Sequence, residues 1–292
     1  MVTAYDAPGA AVALEAGVDV VLVGDSVAMV VLGHGDTLSV TLDEMVHHTA
    51  AVARGLARAG AAGVGGDGGT AAVPLLVADM PWLSYHLGAE DSVRNAARLV
   101  RAGAAAVKLE GGRKRLATLA ALSDAEIPVM GHLGLTPQSV HVMGGYRVQG
   151  REPAAAEGLV ADALALAGAG CFAIVLEGVP ATAARAVTEA VDVPTIGIGA
   201  GPHCDGQVLV FHDLLGLVPG DRPAPRFVRR YASLGAEAVT AVARFAADVR
   251  AGRFPAESET YPADGAGPPG ASMTVVTPPP AVARDGGPGA CR

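Results

Sequence analysis

Lys108 and Glu110 are the residues in this sequence hardest to explain by packing alone. They lie in Ala106-Val107-Lys108-Leu109-Glu110-Gly111-Gly112, which reads as an apolar strand entering a glycine turn. Side chains of a strand alternate between faces, so Lys108 and Glu110 point the same way. Of 21 Lys plus Arg, only Lys108 and Lys114 are lysines. The general surface cation here is therefore Arg, and a Lys inside a strand suggests a compact ammonium that a guanidinium fork would not replace. Two readings stay open from these residues: a strand-end salt bridge, and a site.

Other polar residues close other apolar runs. Asp25 follows Val20–Val23, and Ser26 stands beside it as a turn cap or a ligand contact. Asp79 follows the run that begins at Pro74 and precedes Met80-Pro81, where an ordinary turn-forming Asp is the alternative. Asp25, Asp79 and Glu110 give three carboxylates at three strand ends, with Lys108 the one cation within those strands. Close carboxylates repel unless a cation sits among them, and an oxygen-rich set suits Mg²⁺. His132, in Gly131-His132-Leu133-Gly134, reads either as a structural histidine or as a group beside the substrate. Glu177 ends Phe172–Leu176, where burial would raise a carboxyl pKa and make a general base. A salt bridge to Arg147 or Arg185 is its bland alternative. The glycines of 197–201 could receive a phosphate, although no helix signal follows them directly. His47-His48 lies on a helix with no partner at i+4 and reads as surface or packing.

The elements that must position these residues alternate helix and strand. Expected strands lie at 20–23, 74–78, 104–109, 128–130, 172–176 and 194–198. A partial first strand opens the chain, and an eighth is expected near 208–218. Expected helices cover 7–17, 89–102, 113–124, 154–168, 205–216 and 225–251, with one more opened by a Thr41–Glu44 capping box. Wholly apolar strands of about five residues are the pattern of parallel βαβ units. A doubly wound sheet gathers only the residues at its switch point. A (β/α)₈ TIM barrel brings every carboxyl end to one mouth, so the dispersed polar residues favour the barrel. Residues 59–72 are nearly all Gly and Ala and read as a flexible insertion. Residues 256–292 are Pro/Gly-rich and read as a disordered tail, leaving 1–255 as a single catalytic domain.

Composition narrows the function classes. The chain has 292 residues, 51% hydrophobic and 17% charged, with a net charge of -8. That balance speaks against a nucleic-acid surface. Cys171, Cys204 and Cys291 make no metal-ligand or CxxC pattern, which suits a reduced compartment. Neither a membrane span nor a signal peptide is read, so the expected location is cytoplasmic.

Taken together, several segments resemble the ketopantoate hydroxymethyltransferase (3-methyl-2-oxobutanoate hydroxymethyltransferase) family. They are Thr3-Ala4-Tyr5-Asp6, Val23-Gly24-Asp25-Ser26, Ala78-Asp79-Met80-Pro81, Val107–Gly112, Gly131-His132-Leu133-Gly134-Leu135-Thr136-Pro137-Gln138-Ser139, Gly144–Gly150, Gly197–Gly201 and Asp205–Val210. The likeness runs in order from residue 2 to about 255. It implies a barrel of the phosphoenolpyruvate/pyruvate superfamily, assembled as a homodecamer of two pentameric rings, acting at the first committed step of pantothenate synthesis. It implies Mg²⁺ held by Asp25 and Asp79, with Glu110 close by through water. Ser26 and Lys108 would bind the carboxylate side of the 2-oxo acid, and His132 would lie near it. Glu177 would accept a proton, and 5,10-methylenetetrahydrofolate would bring the one-carbon unit. Family members carry an extra helix and a fuller first strand, so the first strand here reads as truncated, and either the start is misassigned or the barrel is incompletely closed. The insertion is expected away from the mouth. The rivals are a Mg²⁺-dependent 2-oxo acid C–C or P–C lyase of the same superfamily, whose Lys-Lys-Cys-Gly-His type loop is absent, and an inactive scaffold.

Overall fold

The structure is a computed structural model. It describes residues 1–61, 72–218, 220 and 224–261. In chain order the elements are β1 (Val2–Thr3), α1 (Ala7–Glu15), β2 (Val20–Val23), α2 (Val27–Val30), α3 (Leu42–Ala61), β3 (Leu75–Asp79), α4 (Ala89–Arg101) and β4 (Ala106–Glu110). There follow α5 (Leu116–Asp124), β5 (Val129–Gly134), α6 (Val140–Met143), α7 (Pro153–Gly168), β6 (Ala173–Glu177) and α8 (Ala181–Ala190). The last are β7 (Thr195–Ile198), β8 (Gly206–Gln207), α9 (Phe211–Leu215) and α10 (Leu234–Arg250).

The strands form one parallel sheet in the order β1 to β8. A further parallel bridge joins Val2 to Leu209, and the Thr3 N–H donates to Leu209 O at 3.2 Å. These contacts close the ring. The first strand is short, as expected, but it does not leave the barrel open. The eighth strand was expected near 208–218; it is instead a two-residue pairing at 206–207 plus the bridge at Leu209, and 211–215 are helical. The last helix begins at Leu234 rather than near 225.

Alternation along the strands sorts side chains into two apolar clusters. Leu22, Val77, Ala106, Met130, Ala173, Val175, Ile196 and Ile198 form one, the filled interior of the barrel. Their neighbours Val21, Val23, Leu76, Ala78, Val107, Leu109, Ile174 and Leu176 join the larger cluster beneath the helices. Counting two residues on from Val77, Ala106, Met130 and Val175 gives Asp79, Lys108, His132 and Glu177. The interior is thus apolar below and charged at the carboxyl ends.

Local chemistry sets the helix starts. The Asp6 carboxylate accepts from the Gly9 N–H at 2.7 Å and caps α1. The expected capping box is present: the Thr41 N–H donates to Glu44 Oε2 at 2.7 Å, and the Glu44 N–H to Thr41 Oγ1 at 3.3 Å. His48 Nδ1 lies 2.7 Å from Tyr5 O, a packing role. Residues 59–61 of the expected insertion are the last turn of α3; residues 62–71 lie outside the described residues.

The described residues fall into two units, one from Met1 to Ala238 and one beginning at Val239. Within the described part of the second unit, Arg253 pairs with Asp248 at 2.8 Å and Phe245 meets Phe254 edge-on. Residues 257–259 of the expected tail form a 3₁₀ turn, and 262–292 lie outside the described residues.

Gly55 allows α1 and α3 to touch: a Cβ there would sit 2.6 Å from Ala7 O and 2.9 Å from Ala10 Cβ. A Cβ at Gly158 of α7 would meet nothing within 4 Å. Replacing a helix glycine by Ala gains up to about 1 kcal/mol of propensity. Overpacking costs about 1–3 kcal/mol. Gly158→Ala is therefore expected to raise stability in urea unfolding, and Gly55→Ala to lower it. A Gly55→Ala protein more stable than its parent contradicts the close helix contact.

Candidate active site

Strand register brings the charged residues together. Asp79 of β3 is paired across the sheet with Lys108 of β4, and Glu110 of β4 with His132 of β5. Gly134 of β5 is opposite Glu177 of β6. Asp25, one residue past Gly24 at the end of β2, reaches the same place: its N–H donates to Asp79 Oδ2 at 3.0 Å. Asp25, Asp79, Lys108, Glu110 and His132 are all buried.

Lys108 Nζ meets Asp79 Oδ1 at 2.5 Å and lies 3.4 Å from His132 Nδ1. Burial alone would lower the lysine's pKa. The charges of Asp79, Glu110 and Asp25 outweigh burial, so it is held above its ordinary value and stays charged. His132 lies between two carboxylates, with Nδ1 3.4 Å from Glu110 Oε1 and Nε2 3.2 Å from Glu177 Oε2. Burial and the Lys108 charge would lower its pKa, yet Glu110 and Glu177 push it up to about 9, making it an imidazolium. The Asp25 carboxyl is raised well above the ordinary range by burial, then by Asp79 and Glu110.

Glu177 is partly open, its side chain 18% exposed, and its partner is His132. Among the described residues it makes no ion pair with Arg147 or Arg185; Arg185 instead contacts His203. Asp79 is the final residue of a buried strand, and Asp25 is held from a distant loop; neither is a simple turn acid. Ser26 precedes α2 without a side-chain capping bond, and its hydroxyl lies 2.8 Å from Tyr5 Oη.

Two polar residues missed as site groups complete the pocket. Gln138 Nε2 donates to Asp25 Oδ2 at 2.9 Å, and its N–H donates to Glu110 Oε2 at 3.0 Å. The buried Tyr85 hydroxyl donates to Gln138 Oε1 at 2.6 Å. Gln138 ends a sequence segment that already looked family-like, but nothing in spacing marked its amide. Tyr85 carried no signal at all.

The glycines at 197–201 serve packing. A Cβ at Gly199, where φ is +62°, would lie 2.8 Å from the Phe227 ring. One at Gly201, where φ is +77°, would lie 2.5 Å from Ala181 Cβ. Steric room accounts for them without a phosphate.

The donor set fits a hard divalent cation. Asp25, Asp79, Glu110 and Glu177 outnumber Lys108 and His132 in charge. Asp79 Oδ1 and Glu110 Oε1 are buried, each facing one cationic neighbour, Lys108 and His132, and a carboxylate oxygen with one partner keeps a second lone pair. Among the described residues no three His, Cys, Asp or Glu side chains are spaced to enclose one metal ion. The expected arrangement, Asp25 and Asp79 with Glu110 acting through water, asks for no such group of three. That arrangement is compatible with Mg²⁺, which keeps several waters and takes one or two carboxylates.

Removing one partner of a buried ion pair costs about 3–5 kcal/mol. Lys108→Met is expected to lose that much in urea unfolding with chelator present. The double variant Lys108→Met/Asp79→Asn is expected to lose at least about 1 kcal/mol less than the summed single losses. Strict additivity contradicts the pair as the pocket's main charge contact.

A model of the family described as ketopantoate hydroxymethyltransferase matches residues 1–257. The 3-methyl-2-oxobutanoate hydroxymethyltransferase of Moorella thermoacetica is 53% identical over 262 residues, covering 89% of this chain and 91% of that protein. The protein of the same name from Methylobacterium sp. is 54% identical over 261 residues, covering 89% and 85%. Among solved structures, the phosphoenolpyruvate phosphomutase of Streptomyces platensis subsp. rosaceus superposes with a TM-score of 0.53 at 17% identity, covering 89% of this chain and 86% of that one. A phosphonopyruvate hydrolase in complex with oxalate and Mg²⁺ gives 0.53 at 14% identity, covering 90% and 87%. These two share the fold, a TIM barrel. The half-identical sequences say more, and on them the chain belongs to the ketopantoate hydroxymethyltransferase family.

Proposed function

We propose that the pocket transfers a hydroxymethyl group from 5,10-methylenetetrahydrofolate to 3-methyl-2-oxobutanoate, giving 2-dehydropantoate. The observation that carries this reading is the meeting of Asp25, Asp79, Lys108, Glu110, His132 and Glu177 at the carboxyl ends of adjacent strands. Asp25 and Asp79 would hold Mg²⁺, with Glu110 reaching it through water. When bound, the ion supplies a Lewis acid at the keto oxygen, where negative charge develops.

The chain's own residues do the rest. Ser26 and the Lys108 ammonium bind the carboxylate side of the 2-oxo acid. Lys108 also adds positive charge where the enolate forms. Glu177 accepts the proton from C3, and the C3–H bonding pair moves toward the keto oxygen. His132 holds the Glu177 carboxylate in place through its Nε2 contact. The C3 carbanion forms its bond to the folate's methylene carbon as the two C–N bonds of that carbon break; water supplies the hydroxyl oxygen, and tetrahydrofolate leaves with one proton from water and the one taken from C3. The one-carbon unit comes from the co-substrate, so no protein nucleophile is needed. The same reading takes in a decameric assembly, a cytoplasmic location, and a catalytic domain of 1–255 with the remainder as an appendage. No described helix is long and apolar enough to cross a membrane.

Product formation followed by mass spectrometry tests the reading. Asp79→Ala is expected to abolish Mg²⁺-dependent turnover; full activity in saturating Mg²⁺ removes Asp79 from the site. Glu177→Gln is expected to bind 3-methyl-2-oxobutanoate with affinity near the parent's while turnover drops at least about 100-fold, the usual contribution of a general base. Parental turnover by that variant removes Glu177 from proton transfer.

A further inference from the structure

Gln138 spends its hydrogen-bonding capacity on the site. Its Nε2 donates to Asp25 Oδ2 at 2.9 Å and to Met80 O at 3.0 Å. Its backbone N–H donates to Glu110 Oε2 at 3.0 Å. Its Oε1 accepts from Tyr85 Oη at 2.6 Å. It comes from the turn after β5, yet it touches groups at the carboxyl ends of β2, β3 and β4.

Which end of this amide faces Asp25 is fixed twice over. Met80 O can only accept, so the atom beside it must be the NH₂ group. The Tyr85 hydroxyl oxygen accepts the Glu110 N–H at 3.2 Å, and of the two acceptors for its own proton Gln138 Oε1 at 2.6 Å is much nearer than Glu110 O at 3.4 Å. The atom facing Tyr85 must then be the amide oxygen. The Arg115 guanidinium stands 5.1 Å over the Tyr85 ring and keeps the ring in place. A flipped amide would put oxygen against both Met80 O and Asp25 and nitrogen against a donor.

We infer that Gln138 is a positioning residue, locked by Tyr85, that turns one oxygen of Asp25 and one of Glu110 toward itself and so presents their other oxygens to the divalent cation. One side chain and its own N–H thereby coordinate the aim of two carboxylates from different strands. This rests on the reading that Asp25 and Asp79 hold the ion. Partners that orient ligands in this way are worth about 10–100-fold in metal affinity.

Titration of the full chain with MnCl₂ by calorimetry tests the inference without turnover. Gln138→Met keeps the length and the backbone N–H but removes the amide; it is expected to weaken Mn²⁺ binding about 10–100-fold. Tyr85→Phe deletes one oxygen and is expected to weaken it about 3–10-fold, a loss at the low end or below that range. In Gln138→Met, adding Tyr85→Phe is expected to cost less than it does in the parent, the remainder being the tyrosine's own contact with the Glu110 backbone. Parental Mn²⁺ affinity in either single variant overturns the inference, and so does full additivity in the double variant. Should Gln138→Met fail to fold, Tyr85→Phe decides alone. Failure of the underlying reading looks different: Asp79→Ala would then bind Mn²⁺ like the parent.

Discussion

Burying several carboxylates within a few ångströms of one another is the constraint on which this barrel depends. Asp25, Asp79 and Glu110 are all taken from water, and each would raise the energy of the others. The Lys108–Asp79 contact offsets part of that cost, and the His132 imidazolium between Glu110 and Glu177 offsets more. What remains is an excess of negative charge on oxygen, lined up at the mouth. A protein that needed only stability would fill such a place with apolar side chains, since buried ion pairs seldom outdo good packing. Under the proposed function, that charge excess is what would hold a divalent cation.

The strand period converts this demand into geometry. Ala106 packs inside the barrel, and Lys108 and Glu110 follow it at every second residue. Met130 and His132, or Val175 and Glu177, repeat the device on the next strands. One register therefore fixes both the apolar floor and the charged rim. The close approach of α1 to α3 at Gly55 and the Val2–Leu209 bridge complete the frame.

Much of this was legible in the sequence because it depends on period and on position at a strand end. Apolar runs such as Val20–Val23 announce buried strands, and a charged residue directly after one announces the rim. The short first strand and the Thr41–Glu44 box were visible for the same local reasons. The parts that were not legible depend on contacts between distant segments. Gln138 and Tyr85 act 113 and 53 residues away from the partners they hold. The partner of Glu177 was sought among the arginines, whereas sheet register delivers His132. The eighth strand is a two-residue pairing, too short to leave a hydrophobic run. The glycines at 197–201 are silent about whether they admit a ligand or a side chain, and here they admit Phe227 and Ala181.

The central claim is that this pocket makes a carbanion at C3 of a 2-oxo acid with help from a divalent cation. Proton NMR of 3-methyl-2-oxobutanoate in deuterated buffer, with protein but no folate, addresses it directly. The account predicts that the C3 methine signal disappears and the methyl doublet collapses when Mg²⁺ is present, and that chelation stops the exchange. A protein that completes hydroxymethyl transfer yet leaves the C3 proton in place with Mg²⁺, or exchanges it equally well in chelator, contradicts the account.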